Sequence, residues 1–148
     1  VIGAGHKQAI VSLVERKSGY AILAKVSNKT SDMVSAAIIK GLGSIRSSVK
    51  TITFDNGKEF AGHAQIDEAL GSTTYFAEPY SSWQRGSNEN LNGLIRQYVP
   101  KKRALSTVTE REIKMIQDRL NHRPRKRLGF KTPHEVFHAL HKTVALRT

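Results

Sequence analysis

Two acidic residues stand where their surroundings could put them to chemical use. Asp55 closes the run Val49-Lys50-Thr51-Ile52-Thr53-Phe54, a β-branched and aromatic stretch halted by Asn56-Gly57. That pattern predicts a short strand with Asp55 at its carboxyl end, where open α/β sheets bind their ligands. Glu89 opens a second run, in which Leu91, Leu94, Ile95 and Tyr98 follow helical spacing and form one apolar face. At about 100° per residue, Glu89, Asn92, Gly93 and Arg96 gather on the opposite face, with Gly93 leaving room beside them. A strand-end aspartate and a helix-face glutamate can converge on one divalent cation, and hard oxygen donors suit Mg²⁺ or Mn²⁺. Taken singly, each has a plainer explanation. An Asp before Asn-Gly is often only a turn residue, and a Glu on a polar helix face is often only solvated.

A rival constellation lies near the end of the chain. His134-Glu135-Val136-Phe137-His138 is H-E-x-x-H on a predicted helix, the spacing with which two histidines bind zinc and the glutamate acts as base. Glu135, however, already completes a capping box with Thr132. His141 shares the face but sits about 10 Å along the axis from His134, awkward for one tetrahedral ion. The histidines are therefore read as a solvated or DNA-facing stripe.

The elements that must carry these residues follow from pattern. Residues 1–5 read as the tail of a strand, and 8–16 and 20–26 as two apolar strands joined by the hairpin signal Lys17-Ser18-Gly19. Thr30 or Ser31 caps a helix with Val34, Ala37, Ile38, Leu42 and Ile45 on one face. After the 49–54 strand come a helix over 58–70 closed by Gly71, a strand over 73–76, a loop over 78–86 and the Glu89 helix. Thr109 and Thr132 open two further helices as capping boxes, with Val108 and Ile113 as a hydrophobic staple at the first. Three antiparallel strands, then helix, strand, helix, strand and helices, predict the α/β class: a mixed sheet flanked by helices in one domain spanning 1–148.

Composition narrows the partner. Against 12 acidic residues stand 24 Lys and Arg in 148, a formal charge of +12, which favours a polyanion such as nucleic acid. There is no cysteine, hence no disulfide framework and no thiolate metal site. No apolar run is long enough to span a membrane. The basic residues cluster as Lys101-Lys102-Arg103 and as Arg123, Arg125, Lys126 and Arg127, which are read as phosphate contacts.

Four motifs in order make a resemblance specific: Phe54-Asp55-Asn56-Gly57-Lys58-Glu59-Phe60; Pro79-Tyr80-Ser81-Ser82-Trp83-Gln84-Arg85-Gly86-Ser87-Asn88-Glu89-Asn90; Asn121-His122-Arg123-Pro124-Arg125-Lys126-Arg127-Leu128-Gly129; and Thr132-Pro133-His134-Glu135-Val136-Phe137. Together they resemble the catalytic core of insertion-sequence transposases of the family numbered thirty, in the DDE (Asp-Asp-Glu) superfamily shared with retroviral integrases. The resemblance implies a ribonuclease-H-like fold with a mixed five-stranded sheet. It implies Asp55 as the second catalytic carboxylate and Glu89 as the third, with Arg85 and Arg96 matching basic positions of the integrase signature. Ser82 departs from the Tyr of that signature, with Trp83 beside it. The first Asp of the triad has no counterpart, since residues 1–14 contain no Asp or Glu. It is expected just before Val1, which makes the chain an expected piece of a longer protein with an upstream helix-turn-helix domain.

The activity implied is cleavage at transposon ends followed by strand transfer into target double-stranded DNA. Two Mg²⁺ or Mn²⁺ ions would be held by Asp55, Glu89 and the absent Asp. Asn88 or Asn92 would orient DNA or water, and a homodimer or higher assembly would act in the bacterial cytoplasm at the nucleoid. A ribonuclease-H-type nuclease that stops at hydrolysis, and a non-catalytic nucleic-acid-binding module, are the alternatives.

Overall fold

The computed structural model describes residues 7–55, 57–78 and 86–145. In order they form β1 (Ala9–Val14), β2 (Ala21–Val26), α1 (Ser31–Leu42), β3 (Thr51–Phe54), α2 (His63–Leu70), β4 (Thr73–Phe76), α3 (Gly86–Tyr98), α4 (Glu110–Asn121) and α5 (Pro133–Ala145). β1 and β2 pair antiparallel, from Ala9 opposite Val26 to Val14 opposite Ala21. β3 and β4 pair parallel, from Thr51 opposite Thr73 to Phe54 opposite Phe76. The expected five-stranded sheet is thus, among the described residues, four strands in two ladders. The strand expected over 1–5 lies outside them.

The β1–β2 turn forms because Gly19 adopts φ +73, a left-handed conformation that glycine takes without steric penalty. The Glu15 carboxylate fixes the turn, accepting the Lys17 and Ser18 backbone N–H groups at 2.9 and 2.7 Å and the Ser18 hydroxyl. Burial pushes the Glu15 pKa up, but these hydrogen bonds outweigh it and hold the carboxyl below its usual value.

Strand alternation gives the hairpin two apolar faces. On one, Ile10, Ala21 and Leu23 pack with Leu91, Ile95 and Val99 of the α3 region and with Ile113, Ile116 and Leu120 of α4. On the other, Ala9, Ile22 and Val26 pack with Val34, Ile38 and Leu42 of α1, Ile52 and Phe54 of β3, and Ile66 and Leu70 of α2. The outer edge of β2 is closed by side chains of α4. Asn121 accepts the Ala21 N–H at 2.7 Å and donates to its carbonyl at 2.9 Å, and Gln117 accepts the Leu23 N–H at 2.9 Å. A helix thereby satisfies backbone groups that an edge strand would leave open.

The single helix expected over 58–70 is broken. Lys58–Phe60 form a 3-10 turn, Phe60 stacks on Phe54 at 4.5 Å, and α2 begins only after Gly62. A side chain at Gly62 would collide with the Ser35 hydroxyl of α1, so close packing of the two helices favours glycine at the break. At its other end α2 is tied to β4 through Asp67. That carboxylate accepts the Ser72 hydroxyl at 2.8 Å and the Thr74 N–H and hydroxyl at 3.0 and 2.8 Å.

The caps read from sequence form in part. Thr30, Thr109 and Thr132 accept the N–H of Met33, Glu112 and Glu135. The reciprocal carboxylate bonds are replaced: Glu112 turns to Arg103, and Glu135 meets the Thr132 hydroxyl at 3.2 Å. Among the described residues no helix is long and apolar enough to cross a membrane.

Candidate active site

Asp55 directly follows the last residue of β3. The parallel pairing continues one step past that strand, the Ala77 N–H donating to the Phe54 carbonyl at 2.7 Å, so the buried Phe54 anchors the position. The Asp55 side chain is exposed at the carboxyl end of the ladder, and its backbone carbonyl accepts the Gly57 N–H at 2.9 Å. Glu89 lies in the first turn of α3, also exposed, on a helix fastened by the buried Leu91 and Ile95. Among the described residues neither carboxylate has a hydrogen-bond or ion-pair partner. Glu15, Asp67 and Glu112, by contrast, are each engaged by two or more donors.

Asn92 keeps its place one turn from Glu89 on α3, and the amide oxygens of Asn88 and Asn92 also meet β1. The Ser12 hydroxyl of β1 lies 2.9 Å from Asn92 Oδ1 and 3.4 Å from Asn88 Oδ1. One turn apart, the two amides straddle the polar residue that interrupts the apolar face of β1 between Ile10 and Val14. They fix how α3 sits on the hairpin, and so position Glu89. Sequence reading passed over Ser12, whose only signal was that interruption.

Arg96 is half-buried, with Nη1 3.5 Å from the Val99 carbonyl. Arg85, Trp83 and Ser82 lie outside the described residues, as does Asn56. Lys101 and Lys102 are exposed. Arg103, read as a phosphate contact, has a partner within the chain. Its guanidinium grips Glu112 through two bonds of 2.6 and 2.8 Å and donates to the Thr107 carbonyl and hydroxyl at 3.3 and 3.2 Å. The side-chain hydrogen bond to Glu112 raises the Arg103 pKa and lowers that of Glu112.

The second basic cluster surrounds the loop between α4 and α5. Arg123 is exposed, and its Nη1 donates to Gln97 of α3 at 3.3 Å. Arg125 is half-buried, with Nη2 donating to the Leu120 carbonyl at 3.1 Å and a buried Nε that has no partner among the described residues. Burial, followed by the like charges of Arg123 and Arg127, lowers its pKa. Lys126 and Arg127 are exposed, and Arg127 reaches the Lys17 carbonyl at 3.1 Å. A cleft of about 200 Å³ separates this loop from α3, lined by Arg125, Lys126 and Arg127 on one side and Ser87, Asn90 and Leu94 on the other.

The histidine stripe is packed rather than simply solvated. His134 is half-buried, stacked on His122 at 4.5 Å between ring centres and 4.2 Å from His138, while His141 lies 4.2 Å from Phe137. Burial first, then the charges of His138 and His122, lowers the His134 pKa against the weaker pull of Glu135 and Asp118. Among the described residues no three His, Asp or Glu side chains are grouped so as to hold a metal ion, and Glu135 is engaged with Thr132.

Comparison with known proteins supplies the class. The structure superposes on the catalytic core domain of BIV integrase with a TM-score of 0.65, covering 96% of this chain and 99% of that one at 21% identity. The chain has the ribonuclease-H-like fold of integrase catalytic cores. No protein-family model matches it. Its sequence is 47% identical over 137 residues to the transposase of insertion sequence element IS4351 from Bacteroides fragilis, covering 93% of this chain and 42% of that protein. It is 45% identical over 128 residues to the InsI transposase of IS30A from Escherichia coli K12, covering 86% of this chain and 33% of that protein. A putative integrase of a Spiroplasma virus is 28% identical over 141 residues, covering 93% and 43%. The relatives of this chain thus include insertion-sequence transposases, IS30 elements among them, and the chain spans less than half the length of each.

Proposed function

We propose that this chain is the catalytic core of a DDE transposase, which cuts phosphodiester bonds at the ends of a mobile element and joins them to target DNA. The observation that carries the reading is the pair Asp55 and Glu89: exposed carboxylates without partners among the described residues, at a strand end and a helix start of an integrase-core fold. Their donor chemistry fits Mg²⁺ or Mn²⁺, which take oxygen ligands and bind through only one or two carboxylates. When bound, such ions activate the attacking oxygen and offset charge on the leaving one.

The chain's own groups supply the rest. Asp55 and Glu89 would hold the metal edge of the site. Ser12, through Asn88 and Asn92, sets the lie of the Glu89 helix. Lys101, Lys102, Arg123, Lys126 and Arg127 neutralise DNA phosphates, with Arg96 on the Glu89 helix and Arg85 just before it. Water attacks phosphorus at the element's end and releases a 3′-hydroxyl. That hydroxyl then attacks a target phosphodiester, forming the new strand and releasing the target's own 3′ oxygen. Handling two ends together calls for a dimer or higher assembly at the nucleoid.

The test is a nicking and strand-transfer assay with full-length Asp55→Asn and Glu89→Gln. Both products should vanish while DNA binding persists. Wild-type rates in either variant would overturn the assignment, and nicking without joining in the unaltered protein would move the reading to a hydrolytic nuclease.

A further inference from the structure

The loop between α4 and α5 is rigidly built yet presents an aromatic ring to solvent. Arg125 closes it from both ends, its N–H donating to the Lys131 carbonyl at 3.0 Å and its carbonyl accepting Phe130 N–H at 2.9 Å and Leu128 N–H at 3.0 Å. Inside this ring, Lys126–Leu128 make a 3-10 turn, and Gly129 follows at φ +63. Phe130 comes next at φ +66, where a bulky side chain is a genuine outlier. It is the sole non-glycine residue at positive φ among those described, and it is 70% exposed with no ring contact to any other described residue. Glycine would adopt this conformation freely, and a polar residue would suit the exposure. The loop tolerates both penalties to hold a flat apolar surface outward, and an outlier of this kind is a pointer to function.

What covers that surface is indicated by charge. From His122 to His134 the chain carries no acidic residue, while Arg123, Lys126, Arg127 and Lys131 are exposed in the same loop as the ring. An apolar protein partner has no need of such a field, but a nucleic acid strand supplies both phosphates and flat bases. Bases in an intact duplex are already stacked on each other, so the base that meets Phe130 must be unpaired. The 200 Å³ cleft places the same loop against Ser87 and Asn90, in the turn of α3 that bears Glu89.

We infer that Phe130 stacks on an unpaired nucleobase of the DNA strand entering the active site, while Lys126, Arg127 and Lys131 hold the flanking phosphates. This rests on the proposed DNA strand-transfer reading and adds that the enzyme grips a frayed or already cut end by base stacking.

The experiment uses full-length protein and two DNAs: a duplex with a short single-stranded overhang containing 2-aminopurine, and the same duplex with blunt ends. The unaltered protein should prefer the overhang and change the 2-aminopurine fluorescence. Phe130→Gly removes the ring and relieves the backbone. It should lose about tenfold or more in affinity for the overhang and keep its affinity for the blunt duplex. Phe130→Leu, apolar but not flat, should behave like the glycine variant, and Phe130→Trp should retain the preference. The inference is overturned if the unaltered protein shows no preference, or if the Gly and Leu variants keep it. It is equally overturned if those variants change oligomeric state instead, which would make the ring a protein contact. Failure of the catalytic reading is separate: it shows in the Asp55 and Glu89 variants, whatever Phe130 does.

Discussion

The side-chain amide of Asn121 forms a closed pair of hydrogen bonds with the backbone of Ala21, 2.7 Å to its N–H and 2.9 Å from its carbonyl. Both residues are buried, so water cannot replace either bond. Asn121→Ala therefore strands two backbone groups and should lower the unfolding free energy by roughly 2–4 kcal/mol. Urea denaturation will read this as a lower midpoint at unchanged slope.

The two basic clusters should separate in a salt titration of DNA binding. Lys126→Gln removes a free cation and should weaken binding evenly across sequences, reducing the log–log salt slope by about one. Arg103→Gln removes a cation already held by Glu112 and should leave the slope unchanged. A loss of slope at Arg103 equal to that at Lys126 would show that the ion pair opens for DNA.

Acid stability should depend on Glu15 and Asp67. Each is held below its ordinary value, 4.5 for Glu15 and 3.8 for Asp67, by hydrogen bonds that overcome the effect of burial. A depressed carboxyl gives stability that is present above the unfolded value and lost as pH falls through the folded one. Glu15→Gln and Asp67→Asn should each destabilise the protein at neutral pH. Each should also flatten its stability profile below about pH 4.5, as followed by urea midpoints across that range.

His134 works in the opposite chemical sense. Its folded pKa lies below the ordinary 6.5, so the fold favours the neutral ring. Stability from this group is complete above the unfolded value and falls as pH drops toward the folded one. Acidification from neutral should thus loosen the junction of α4 and α5 before the carboxylates titrate. Proton NMR of the ring should find His134 titrating at lower pH than 6.5, and His134→Gln should remove this part of the pH dependence.

Much of the frame was legible because it depends on short-range rules. Helical spacing located α1, α3 and α4, threonine caps marked three helix starts, and the β-branched run before Asn-Gly placed Asp55 at a strand end. What escaped depends on partners distant in the chain. A helical wheel sets Asn92 among outward polar residues, and only the neighbouring strand reveals that Ser12 also meets it. Arg103 reads as a phosphate ligand, and only the fold reveals Glu112 across the turn. The apolar rhythm of 58–70 runs through Gly62 without a break, since nothing local shows how closely α1 approaches there.

The hairpin of β1 and β2 is a partition with a separate apolar cluster on each side. Asp55 follows a strand rooted in one cluster, and Glu89 rides a helix rooted in the other. Under the proposed pairing of these acids, shaving Ile66 or Ile95 would loosen the footing of one of them, and turnover of the full-length protein should fall before the fold is lost.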